Sequence, residues 1–182
     1  MSLLAFFPPI YLYGGTFMIK IINISNSEKA IKQLEVFKQK RYENYDIKFE
    51  NVGLREINEL LDLKLFTKND LYIYASTLFD LMSETKHSSS HNSHNLTPED
   101  ILGALVNIRK PLAIILAKFG RLSIVTRIAS HFGIPLLFII ELNSGLFVNP
   151  IAKINKIVTI YPKDDIDKYL SHFDKKDIIY RK

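Results

Sequence analysis

The chain has 182 residues, 47% hydrophobic and 24% charged, with a formal net charge of +5 and no cysteine. That length can bury a core without covalent staples, and the missing cysteine excludes a disulfide framework, a thiol nucleophile and a cysteine-ligated zinc site. The charge is uneven: residues 1–100 carry 11 Lys and Arg against 13 Asp and Glu, whereas residues 101–163 carry eight basic side chains against Glu141 alone.

Residues 1–17 hold no charge at all. Pro8-Pro9 and Gly14-Gly15 break the apolar run, which is too short to span a bilayer and lacks a basic leader. The segment reads as an accessory arm or a misplaced start, with a weak export signal or a partner-packing segment as alternatives. Residues 18–95 form the predicted N-terminal part. A first strand follows Met18, and Ser25-Asn26-Ser27 then caps a helix carrying Ile31, Leu34, Val36 and Phe37 to about Lys40. Tyr45–Val52 reads as a short strand or a loop. Leu54, Ile57, Leu60 and Leu61 mark a second helix, and Leu71–Tyr74 a short buried strand leading into a helical turn through Phe79 and Met82. The polar run from Ser83 to Asn95 has no apolar anchor and is a loop.

Residues 96–182 complete what is expected to be one compact domain. Thr97-Pro98-Glu99-Asp100 starts a helix that ends at Pro111. Beyond it the apolar period falls from 3.6 to 2 in four runs, Leu112–Ala117, Leu122–Ile128, Leu136–Leu142 and Ile154–Tyr161. Their Gly- and Asn-bearing links, too short for a helical crossover except in the last case, predict an antiparallel meander. A short helix over Asp165–Phe173 and a strand over Asp177–Tyr180 close the chain. The predicted class is α+β: N-terminal helices, then a four-stranded antiparallel meander sheet, then a short C-terminal helix and strand.

Two places carry candidate chemistry. His87, His91 and His94 are spaced by four and three residues in the polar loop. They read as a solvated loop, as an adventitious metal site, or as the source of one general acid or base, since imidazole titrates near neutrality. At the end of the fourth run, alternation puts Thr159, Tyr161 and Lys163 on one face, where hydroxyl, phenol and ammonium groups suit a phosphate. Either Arg127 or Thr126 joins that face, but not both. A wet strand face without a role fits the same pattern. No nucleotide-binding glycine loop, metalloprotease motif or nucleophile elbow is present. With Glu141 the only carboxylate among residues 101–163, no acidic metal cluster is expected there. No cofactor is expected either.

The order of these pieces resembles a known family. His94-Asn95-Leu96-Thr97-Pro98-Glu99-Asp100 puts a His before an acidic helix start, and Ile108-Arg109-Lys110-Pro111-Leu112 runs that helix into a proline that opens a strand. Gly133-Ile134-Pro135 then opens a strand, Thr159-Ile160-Tyr161 ends one, and Ile178-Ile179-Tyr180 closes the chain. From about Ser93 to Lys182 the chain is similar to phage-associated nuclease domains of the barnase–EndoU–colicin–RelE superfamily, of the type found behind MuF-like phage head proteins. The resemblance implies a metal-independent endoribonuclease acting as a toxin. It implies RNA as partner, an antitoxin or immunity protein, and no stable membrane association. By position, His94 is the acid or base, Thr159 and Tyr161 touch phosphate or ribose, and Tyr180 belongs to the closing strand. Arg127 and Lys163 are then phosphate-binding cations, on charge more than on motif, with Lys86 as a third. The family often has Lys directly before its His, where this chain has Ser93. Its one Lys-His pair is Lys86-His87, so the catalytic imidazole is either His94 or His87. A non-catalytic RNA- or protein-binding module of the same fold is the competing expectation. The residues give no oligomeric state. The sheet's positive stretch is therefore expected to face RNA, and the chain to act in the cytoplasm or as an exported or injected toxin domain.

Overall fold

The computed structural model describes residues 20–24, 28–83, 94–131, 133–145 and 153–182. In chain order these residues form β1 (Lys20–Ile24), α1 (Glu28–Gln39), β2 (Tyr45–Phe49), α2 (Leu54–Leu61), β3 (Leu71–Tyr74) and α3 (Ala75–Met82). There follow α4 (Pro98–Asn107), β4 (Ala113–Ala117), β5 (Arg121–Ala129), β6 (Pro135–Ser144), β7 (Ile154–Pro162), α5 (Ile166–Leu170) and β8 (Ile178–Arg181). The α+β class is as the sequence predicts, and β4, β5, β6 and β7 form the expected antiparallel meander.

The sheet is larger than four strands. Among the described residues it holds eight, in the order β1-β2-β3-β7-β6-β5-β4-β8. Tyr45–Phe49 is a strand, and the N-terminal part adds three strands as well as helices. β1 pairs β2 in parallel across the α1 crossover, and β3 pairs β2 antiparallel. The two halves meet where β3 pairs β7 in parallel at only two registers, Leu71 with Asn155 and Tyr72 with Lys156. β8 closes the other edge against β4. The sheet is thus mixed, because its additional strands return through helices or from the far end of the chain.

Helices α1, α3 and α4 cover one face. Their Leu34, Phe37, Leu78, Leu81, Ile101 and Leu105 pack with Ile73, Ile124, Phe138, Ile140, Ile157 and Ile160 of the sheet. Two irregularities keep this face apolar. Between Ile139 and Ile140 the register to β7 slips so that Thr159 and then Ile157 are the partners, which leaves Ile157 and Ile160 both in the core. A second bulge lies between Val125 and Ala129. There Thr126 is fully buried and donates its hydroxyl to Leu136 O at 3.2 Å, while Arg127 is exposed.

The opposite face is not the open polar surface that simple alternation suggests. α5 lies over it, and Leu170 packs with Ala113, Ile115, Val125 and Leu137. Tyr161, Ile166, Tyr169 and Phe173 surround this second, smaller core. No helix among the described residues is long and apolar enough to cross a membrane.

Candidate functional site

One end of the sheet gathers the described candidates. The N-terminus of α4 organises it. Thr97 and Asp100 form a reciprocal capping box: the Thr97 hydroxyl accepts from Asp100 N–H at 3.1 Å, and the Asp100 carboxylate accepts from Thr97 N–H at 2.8 Å. Three residues before the cap, His94 is held beside β7. Its ring centroid lies 5.7 Å from that of Tyr161 at an interplanar angle of 40°. Of the expected pairings, this one is realised.

Tyr161 and Thr159 do share a face, since they pair Leu137 and Ile139 of β6. That face is largely roofed. The Thr159 hydroxyl oxygen is buried and, among the described residues, has no hydrogen-bond partner. Tyr161 is half-buried, and its phenol is held above the usual range, first by burial and then by Tyr169, whose hydroxyl interacts with it. Near neutral pH it therefore acts as a hydroxyl rather than a phenolate. Tyr169 in turn donates to the Ser123 hydroxyl at 3.2 Å.

A buried, unpartnered hydroxyl costs stability, because its water contacts are lost without replacement. Thr159→Val, close in shape, is expected to stabilise the chain by about 1 kcal/mol, read as a higher urea midpoint at unchanged slope. An unchanged or lower midpoint would mean that the hydroxyl has a partner in solution.

Lys163 follows Tyr161 around the strand end. Its backbone N–H donates to Pro135 O at 2.9 Å, and its ammonium lies 5.5 Å from the Tyr169 ring centroid. It forms no ion pair among the described residues, nor does Arg127. Tyr180 is elsewhere: it pairs Ile114 on the far edge strand and packs against the helix-side core. Four strand spacings separate β8 from β7, about 19 Å. Tyr180 is therefore no part of this cluster. His87, His91 and Lys86 lie outside the described residues.

Sequence reasoning missed a second imidazole. His131, in the β5–β6 turn, donates its backbone N–H to Asp100 Oδ1 at 2.8 Å, and its Nδ1 lies 2.5 Å from Asp100 Oδ2. Burial alone would raise the Asp100 carboxyl. The hydrogen bonds from Thr97 and His131 outweigh that and hold it below the usual carboxylate range. The arrangement is a carboxylate orienting an imidazole through Nδ1, on a side chain 38% exposed. No spacing rule links positions 100 and 131. The only local signal was a His in a hairpin turn whose sheet partners were already predicted.

The positive stretch is divided between the two ends of the sheet. Arg127 and Lys163 follow the row Val125–Leu137–Tyr161 at the end of the sheet where His94 sits. At the other end Arg121, Glu141 and Lys156 form one cross-strand row. Lys156 is neutralised there by Glu141 at 3.2 Å, and its ammonium lies 4.8 Å from the Tyr74 ring centroid. Burial opposes ionisation of Glu141, but Lys156 and the Ser144 hydroxyl win and lower its pKa. Among the described residues no three His, Asp or Glu side chains converge as metal ligands.

Comparison with known proteins finds no match. No family model, no curated protein and no solved structure is significantly similar to the chain. The functional reading therefore rests on the residues and their geometry.

Proposed function

We propose that the chain is a metal-independent endoribonuclease of toxin type, working at the α4 end of the sheet. The His94–Tyr161 contact carries this reading, with Lys163 following on the same strand and the Asp100-oriented His131 on the same helix N-terminus. RNA supplies its own nucleophile. A base takes the 2′-hydroxyl proton, the 2′-oxygen bonds to phosphorus, and the P–O5′ bond breaks as an acid protonates the leaving oxygen. The products are a 2′,3′-cyclic phosphate and a free 5′-hydroxyl. His94 and His131 supply the two proton-transfer groups, and Lys163 and Arg127 stabilise the phosphorane charge. The buried Thr159 hydroxyl has no substrate contact in this scheme, and Tyr161 serves as the wall against which His94 is set.

The test is direct. The purified full chain, in excess EDTA between pH 5 and 8, should cut unstructured RNA to cyclic-phosphate ends. One 2′-deoxy substitution at the cut site should abolish that cut. A second reading has its own support: of the expected substrate contacts, Tyr161 packs in the cluster around Leu170 of α5 and the Thr159 hydroxyl oxygen is buried. It makes the chain a binding module for RNA or a protein. Salt-sensitive RNA binding without any cleavage would select it and sink the enzyme. A ribonuclease acting inside its own cell also requires an inhibitory partner protein, which this reading includes.

A further inference from the structure

At the end of the sheet far from His94, the β4–β5 hairpin turns through Lys118, Phe119 and Gly120. Phe119 is 91% exposed, and its backbone is left-handed at φ 64°, with Gly120 following at φ 69°. Left-handed residues suit a hairpin turn, but Gly, Asn or Asp ordinarily fill such positions, and a bulky side chain there is strained. Local backbone preference and solvation both oppose a phenylalanine at this point, and no packing within the described residues offsets them. Its neighbours in sequence are cationic: Lys118 and Arg121 are exposed on either side, and the turn itself contains no acid, the carboxylate across from Arg121, Glu141, being ion-paired to Lys156. Leu116, near the end of β4, is also exposed, at 42%.

An aromatic face between two cations is the chemistry that holds a single nucleic-acid strand, with a base stacked on the ring and phosphates on the ammonium and guanidinium groups. We propose that Phe119 is a stacking platform for an unpaired base of single-stranded RNA, with Lys118 and Arg121 gripping the adjoining phosphates. The proposal deepens the ribonuclease reading and rests on it for the identity of the polymer. The nine-residue strand β5, about 26 Å from end to end, lies between the tip and His131. A strand of several nucleotides thus spans tip and site, and short substrates reach only one of them.

Binding is measured by fluorescence anisotropy of a labelled 2′-O-methyl oligouridine of twelve residues, which lacks the nucleophile and cannot be cut. Phe119→Ala should weaken binding about tenfold, and Phe119→Trp should retain it. Phe119→Gly should weaken binding equally while raising the thermal midpoint by about 2 °C, because glycine relieves the left-handed strain. That combination separates a binding role from a folding one. Equal affinity of wild-type and Phe119→Ala overturns the proposal, even if RNA is cleaved. So does a Phe119-dependent dimer in sedimentation, which assigns the tip to a protein contact. Phe119-dependent binding without cleavage supports the platform and sinks the nuclease instead.

Discussion

Replacing Asp100 with alanine is expected to cost the folded chain roughly 2–4 kcal/mol, combining a lost helix cap with orphaned buried donors. The residue is 7% exposed, and its carboxylate receives Thr97 N–H, His131 N–H and the His131 ring. No neighbour can replace it. The backbone donors of Thr97 and His131 lose their acceptor, and the β5–β6 turn loses its tie to α4. Urea unfolding monitored by circular dichroism reads the loss as a lower midpoint. Acid adds a second test. The folded carboxyl titrates below its unfolded value of about 3.9, so its contribution is complete above that pH and fades as pH falls through the lower folded value. Wild-type should therefore lose stability below about pH 4 more steeply than Asp100→Asn. Parallel acid profiles would show that the carboxylate's charge contributes nothing.

His94→Ala should reduce RNA cleavage by about 10²–10⁴-fold, the usual worth of a positioned acid or base. Its stability effect should stay within about 0.5 kcal/mol, because the side chain is only half-buried and sits outside both cores. His131→Ala should lose activity in the same range but also slacken the turn. If both imidazoles transfer protons, the wild-type rate has a bell-shaped pH dependence, and each variant loses one limb. Cleavage by His94→Ala at the wild-type rate, with the fold intact, would remove His94 from the reaction and point to the preceding loop.

Local signals carried the elements and the meander. Thr97-Pro98-Glu99-Asp100 announced α4, and the full capping box is present. The turns around Gly120 and Gly133 separate the strands as expected, and both residues take positive φ, whereas Asn143, also at positive φ, lies within β6, which runs on to Ser144. The breadth of the sheet was not legible, because the β3–β7 pairing joins segments far apart in the chain and strand edges do not name their partners. The α5 roof left a clue. Leu136-Leu137-Phe138-Ile139-Ile140 is apolar without alternation, as a strand covered on both faces should be. Weighing that run against the polar alternation in β7 would have placed Thr159 and Tyr161 under cover. The tie between Asp100 and His131 had no such clue, since it is a tertiary contact made by a loop.

The two-register seam between β3 and β7 has a consequence for how the molecule assembles. Every pairing in β4–β7 joins strands consecutive in the chain, an arrangement that forms fast because little chain entropy is lost per contact. The seam instead closes the long stretch from Tyr72 to Lys156, and few backbone bonds reward that closure. The meander is thus the natural nucleus, and docking of the N-terminal strands is the late step. Until that step is complete, the outer edge of β7 lies open to pairing with another chain.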